Sequence, residues 1–110
     1  SSGSANGTGT SASFNNSYGI TTDGTNLYVG DTFNQLIRKI VISTGVVTTL
    51  AGTGSSGSAN GTGTSASFYK PYRITTDGTN LYVGDTFNHL IRQIVISTGG
   101  VTTLAGTGSS

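Results

Sequence analysis

Titratable side chains are few in this chain, and their types and spacing bound its chemistry. The acids are Asp23, Asp31, Asp77 and Asp85, the one histidine is His89, and the bases are Arg38, Lys39, Lys70, Arg73 and Arg92. Paired carboxylates can do acid–base work. All four acids, however, stand at turn positions where Asp bonds nearby backbone. With no Glu, no Cys and one His, convergent catalytic groups are hard to assemble, and no enzyme activity is expected.

His89 could hold a metal ion only if symmetry brought several chains' imidazoles together, so it is a weak candidate and no cofactor is expected. Gly52-Thr53-Gly54-Ser55-Ser56-Gly57 fits the spacing of a dinucleotide-binding loop, and Asp77 follows 20 residues after Gly57. That fingerprint needs a helix opening at its third glycine. Ser58-Ala59-Asn60-Gly61 cannot hold one, so the segment reads as a flexible connection. Tyr69, Lys70, Tyr72 and Arg73 bring two cations and two aromatic rings into five residues, and are the candidate ligand-binding cluster. Arg38 and Lys39 read as solvated side chains, as do Lys70 and Arg73 in the plainer reading.

The elements that must position these residues come twice. Asp31-Thr32-Phe33-Asn34-Gln35-Leu36-Ile37-Arg38 returns 54 residues later as Asp85-Thr86-Phe87-Asn88-His89-Leu90-Ile91-Arg92. The units are 1–54 and 55–108, with 109–110 starting a further repeat. They differ at seven positions: Asn15/Tyr69, Asn16/Lys70, Ser17/Pro71, Gly19/Arg73, Gln35/His89, Lys39/Gln93 and Val46/Gly100. Such near-identity points to a designed or consensus-built chain, or to recent duplication.

Each unit predicts four strands. In the first they are Ile20–Thr22, Leu27–Gly30, Leu36–Ile42 and Val46–Ala51. Asp23-Gly24 between apolar runs is a hairpin signal. A long small-residue loop, 1–13 and its second copy, precedes them and closes on Phe14 or Phe68. Helical periodicity is absent. Four-stranded units at this period suggest propeller blades, and apolar residues on both strand faces mean that each blade needs neighbours on both sides.

The motif Asn88-His89-Leu90, with Asn34-Gln35-Leu36 in the first copy, resembles the NHL repeat. Gly19-Ile20, Asp23-Gly24, Leu27-Tyr28-Val29, Asp31 and Asp85 add to the likeness, and Phe68-Tyr69-Lys70-Pro71-Tyr72 resembles the lead-in of many bacterial members. The chain departs from that pattern at Gln35, at Ser17, and at Arg73, where the family and the first copy carry Gly. The resemblance implies an all-β fold of propeller blades, a structural role for His89, and more often binding than catalysis.

Two blades cannot close a ring. The expected partner is therefore the chain itself, joined head to tail in a cyclic homo-oligomer. Four chains would make eight blades, which the long blade favours, and three would make six. In that ring the cluster Tyr69, Lys70, Tyr72 and Arg73 would sit near the channel mouth, able to meet an anionic or sugar-like ligand.

Charged residues are 8% of the chain and the net charge is +1, which gives no field to attract nucleic acid or a membrane surface. No apolar run approaches the roughly 20 residues of a membrane helix. No secretion signal is read at the start, which leaves the acceptor-like Asn6-Gly7-Thr8, Asn60-Gly61-Thr62 and Asn15-Asn16-Ser17 without weight. The compartment is unknown.

Overall fold

A computed structural model describes residues 6–9, 14 and 19–106. The first copy's lead-in, with Asn15, Asn16 and Ser17, and the start of a further repeat at 109–110 lie outside the described residues. The first repeat contributes β1 (Gly7–Thr8), β2 (Gly19–Thr22), β3 (Asn26–Asp31), β4 (Leu36–Val41) and β5 (Val46–Ala51). The second contributes β6 (Gly61–Thr62), β7 (Pro71–Thr76), β8 (Asn80–Asp85), β9 (Leu90–Val95) and β10 (Gly100–Ala105). Among the described residues there is no α-helix.

The strands form two antiparallel sheets, in the orders β1-β5-β4-β3-β2 and β6-β10-β9-β8-β7. Each repeat thus closes on itself as one blade. The expectation of four strands needs correction, because each sheet has five. The extra strand comes from the segment read as loop. Gly7 and Thr8 pair with Val47 and Val46, and Gly61 and Thr62 pair with Val101 and Gly100. Two residues among glycines give no alternating pattern, so the sequence shows no strand there.

The Asp-Gly hairpins form where expected. Asp23 accepts the backbone N–H groups of Thr25 and Asn26 at 3.0 and 2.9 Å, and the Tyr28 hydroxyl at 3.1 Å. Asp77 does the same with Thr79, Asn80 and Tyr82 at 2.9, 2.8 and 2.9 Å. Gly24 and Gly78, both at φ 95°, turn the chain in a region closed to most side chains.

The core lies between the blades. Tyr28, Ile37 and Ala51 of the first and Phe68, Ile74, Leu81 and Ile94 of the second belong to one buried cluster. The sheets approach closely along β2 and β7, where a Cβ on Gly19 would overlap the Tyr72 carbonyl oxygen. Near β5, the second small-residue segment fills the gap, and Gly52 donates its N–H to Gly63 O at 3.2 Å. Ala66 and Phe68 are fully buried. Within the expected flexible connection, Gly52 is buried and Thr53 to Ser56 are exposed.

Backbone donors, from Asn26 and Asn80 first, hold the Asp23 and Asp77 carboxyls below the usual carboxylate range. A carboxyl lowered on folding contributes stability that is present above its unfolded value of about 3.9 and is lost as pH falls through the lowered folded value. The combined Asp23→Asn and Asp77→Asn chain should therefore show a flatter loss of urea resistance below about pH 4 than the parent. Urea titrations at several acid pH values measure this.

Candidate functional site

The second blade is knit together around Asp85 and Arg92, both fully buried and paired at 2.9 Å. They stand diagonally on β8 and β9, where Asp85 lies opposite Leu90 and Val83 opposite Arg92. Asp85 also accepts the Tyr69 N–H at 2.7 Å and the Asn88 amide at 2.7 Å. Arg92 donates to Ser67 O at 3.0 Å, Ala59 O at 3.0 Å and Asn60 Oδ1 at 2.8 Å. Its guanidinium lies over the Phe68 ring, 5.1 Å from the centroid. Asn88 donates to Gly57 O at 2.6 Å. These side chains fasten the segment 57–68 to the sheet.

The first blade repeats the pair as Asp31 and Arg38 at 2.9 Å, both fully buried. Arg38 reaches Asn6 Oδ1 at 2.8 Å and lies over Phe14 at 5.0 Å. Asn34 donates to Asp31 Oδ2 at 2.9 Å. Reading Arg38 as a solvated cation was therefore wrong. A visible signal was an Asp and an Arg seven residues apart in both copies, a spacing that brings them to one face of a short hairpin. Asn6 and Asn60, read as acceptor-like sequence, supply the oxygens that cap these guanidiniums.

Leu36 and Leu90 are buried, 7% and 9% exposed. Gln35 and His89 end matching short 3-10 turns in the left-handed region, at φ 60° and 59°. His89 is exposed and borders an open cavity of about 240 Å³ with Leu90, Ile91 and Gly106. Among the described residues no three His, Cys, Asp or Glu side chains converge on a metal position.

The cluster at 69–73 divides. Lys70, at φ 54°, gives its backbone N–H to Gln35 Oε1 of the first blade at 2.6 Å. Its ammonium lies 4.3 Å from the Phe33 ring centroid and 5.6 Å from that of Phe87, one ring from each blade. Tyr69 packs on Phe87 with centroids 5.2 Å apart. Thr32 of the first blade donates to Pro71 O at 2.8 Å. Lys70 and Pro71 therefore lie at the joint between blades, whereas Tyr69 packs within the second blade. Tyr72 is half-buried, and its carbonyl faces Gly19. Arg73 alone of the four borders an open cleft of about 680 Å³, together with Gly19, Ile20, Tyr82 and Ile91.

The joint uses opposite faces of the same unit, so each blade keeps one face open. Ile20 is 60% exposed, whereas its counterpart Ile74 is 9% exposed. Ile91 is 44% exposed, whereas its counterpart Ile37 is fully buried. Leu104 is 54% exposed, and its counterpart Leu50 packs against the core.

No protein-family model matches the chain. NHL repeat-containing protein 2 of Homo sapiens is 35% identical over 107 residues, covering 93% of this chain and 15% of that protein. The Bos taurus protein of the same name is 36% identical over 101 residues, covering 87% of this chain and 14% of its own length. The chain thus spans only a small part of these curated relatives. Among solved structures, a Bacteroides thetaiotaomicron protein of unknown function superposes with a TM-score of 0.81 at 28% identity, covering 93% of this chain and 25% of that one. A Bacteroides ovatus auxiliary nutrient binding protein gives 0.75 at 25% identity, covering 96% and 27%.

Removing one partner of a buried pair leaves the other charge uncompensated. Arg92→Met should lower the unfolding free energy by about 3–5 kcal/mol. Adding Asp85→Asn to it should restore part of that loss, so the two changes should be non-additive in a urea-denaturation cycle.

Proposed function

Both halves of this chain are β-propeller blades of the NHL-repeat type, and from that premise we propose that the chain is a self-assembling module that completes a ring with further copies of itself. The observation that carries the proposal is the reciprocal exposure of matching residues. Ile20, Ile42, Ile91 and Leu104 are open on one blade, and their counterparts Ile74, Ile96, Ile37 and Leu50 are covered or packed against the core on the other. Ile20 needs what Ile74 has, and Ile91 needs what Ile37 has.

The face left open on each blade is the one that the other blade uses at the joint. Association is therefore head to tail, a mode that ends in a ring when the angle closes. Four copies give eight blades and three give six, and both lie within the usual range of propellers. The larger ring is the preferred form. Burial of a Leu or Ile side chain contributes about 1.5–3 kcal/mol, so covering Ile20, Ile42, Ile91 and Leu104, each 44% exposed or more, supplies a substantial driving force. Under this reading the chain is not an enzyme, because two of its acids are occupied in hairpin turns and two in buried ion pairs. Its partner is its own copy, without nucleic acid or membrane.

Light scattering on a sizing column across a dilution series tests this. A single species of about four times the 11.1 kDa chain mass is expected, with three times that mass next. Ile20→Asp should give a monomer with an unchanged β-sheet circular dichroism spectrum, since Ile20 lies outside the buried cluster. A parent chain that is monomeric at every concentration overturns the proposal.

A second reading rests on the cleft beside Arg73 and on likeness to a protein named for nutrient binding. In this reading the chain is a binding module holding a small anionic or sugar-like ligand at the channel mouth, with Arg73 as the charged contact. Calorimetry with a sugar phosphate should then show binding to the parent and none to Arg73→Ala, with assembly retained in both.

A further inference from the structure

Resting on the assembly reading above, we infer that the joint between copies differs from the joint within a chain, and that Arg73 makes the difference. Within the chain, β2 and β7 come together because residue 19 is glycine. A Cβ there would overlap the Tyr72 carbonyl oxygen and stand 3.2 Å from both Arg73 Cα and Ile74 Cγ2. Backbone atoms cannot yield as the end of a flexible side chain can.

Arg73 holds the place of Gly19 in the second blade. Gly19 lies opposite Gly30 in its sheet, and Arg73 lies opposite Gly84. Suppose a second copy's first blade docked on the second blade as the second docks on the first. Gly19 and Ile20 of that copy would then stand against Arg73 as Arg73 and Ile74 stand against Gly19. The Arg73 Cβ would be driven into backbone. The joint between copies is therefore wider along these strands, and tight and wide joints alternate round the ring. The ring has the symmetry of its chains and not of its blades.

Several differences between the repeats gather at the same place. Gln35, Lys70, Pro71 and Arg73 all stand at the joint within the chain, and each is one of the positions at which the copies differ. Four of the seven differing positions thus fall at this joint, with Lys39/Gln93 and Val46/Gly100 on other strands.

The test separates the backbone contact from the charge. Arg73→Gly restores the residue that the first copy carries, and Arg73→Ala removes the guanidinium but keeps the Cβ. Light scattering over a dilution series reads the concentration at which the assembly falls apart. Arg73→Gly should lower it by about tenfold, the change expected when an overpacked contact of ~1.4 kcal/mol is relieved. Arg73→Ala should match the parent. Equal behaviour of all three overturns the inference and leaves the assembly reading standing. Tightening by Arg73→Ala as large as by Arg73→Gly also overturns it, because charge or length would then be the cause. A monomer in every case overturns the assembly reading and this inference with it.

Discussion

A charge taken out of water is costly unless its partners are complete, and each blade is arranged round one such pair. Asp85 and Arg92 are fully buried, and so are Asp31 and Arg38. Replacing such pairs with apolar residues is often neutral for stability, so their use here lies in placement. The two terminal nitrogens of the Arg92 guanidinium direct their N–H groups to Asp85, Ser67, Ala59 and Asn60. A segment of Gly, Ser, Ala and Thr has little apolar surface with which to hold a position. Fixed to a buried cation, it becomes a defined wedge between blades.

That wedge connects the interior of one blade to its fit against the next. Phe68 lies under the guanidinium and belongs to the buried cluster between blades. Asp85 also takes the Tyr69 N–H, which orders the chain just before Lys70 crosses to Gln35. The ion pair, the lead-in and the joint are thus one network. Disturbing the pair should disturb how blades meet, even though Arg92 itself is covered within its own blade.

Much of this was legible in the sequence. The 54-residue offset, the Asp-Gly turns and the apolar residues on both strand faces pointed to paired blades, and the hairpins form where expected. The strand β6 was not legible, since Gly61-Thr62 gains its pairing from β10, far along the chain, and not from any local pattern. Arg38 was misread for a related reason. Composition makes an Arg beside a Lys look solvated, and the diagonal relation to Asp31 across two strands shows that it is enclosed. The cluster at 69–73 was visible as a deviation between copies. Its division between joint and cleft depends on β7 running past the first blade, which no local spacing shows.

The short first strand of each repeat has one more consequence. Gly61 and Thr62 clasp β10, the last strand of their own repeat, and Gly7 and Thr8 clasp β5 in the same way. The beginning of each unit therefore fastens its own end, and no strand is borrowed from a neighbour. A gene for such a chain can gain or lose one whole unit in a single recombination event without leaving any sheet a strand short, so evolution can vary the number of units in whole steps.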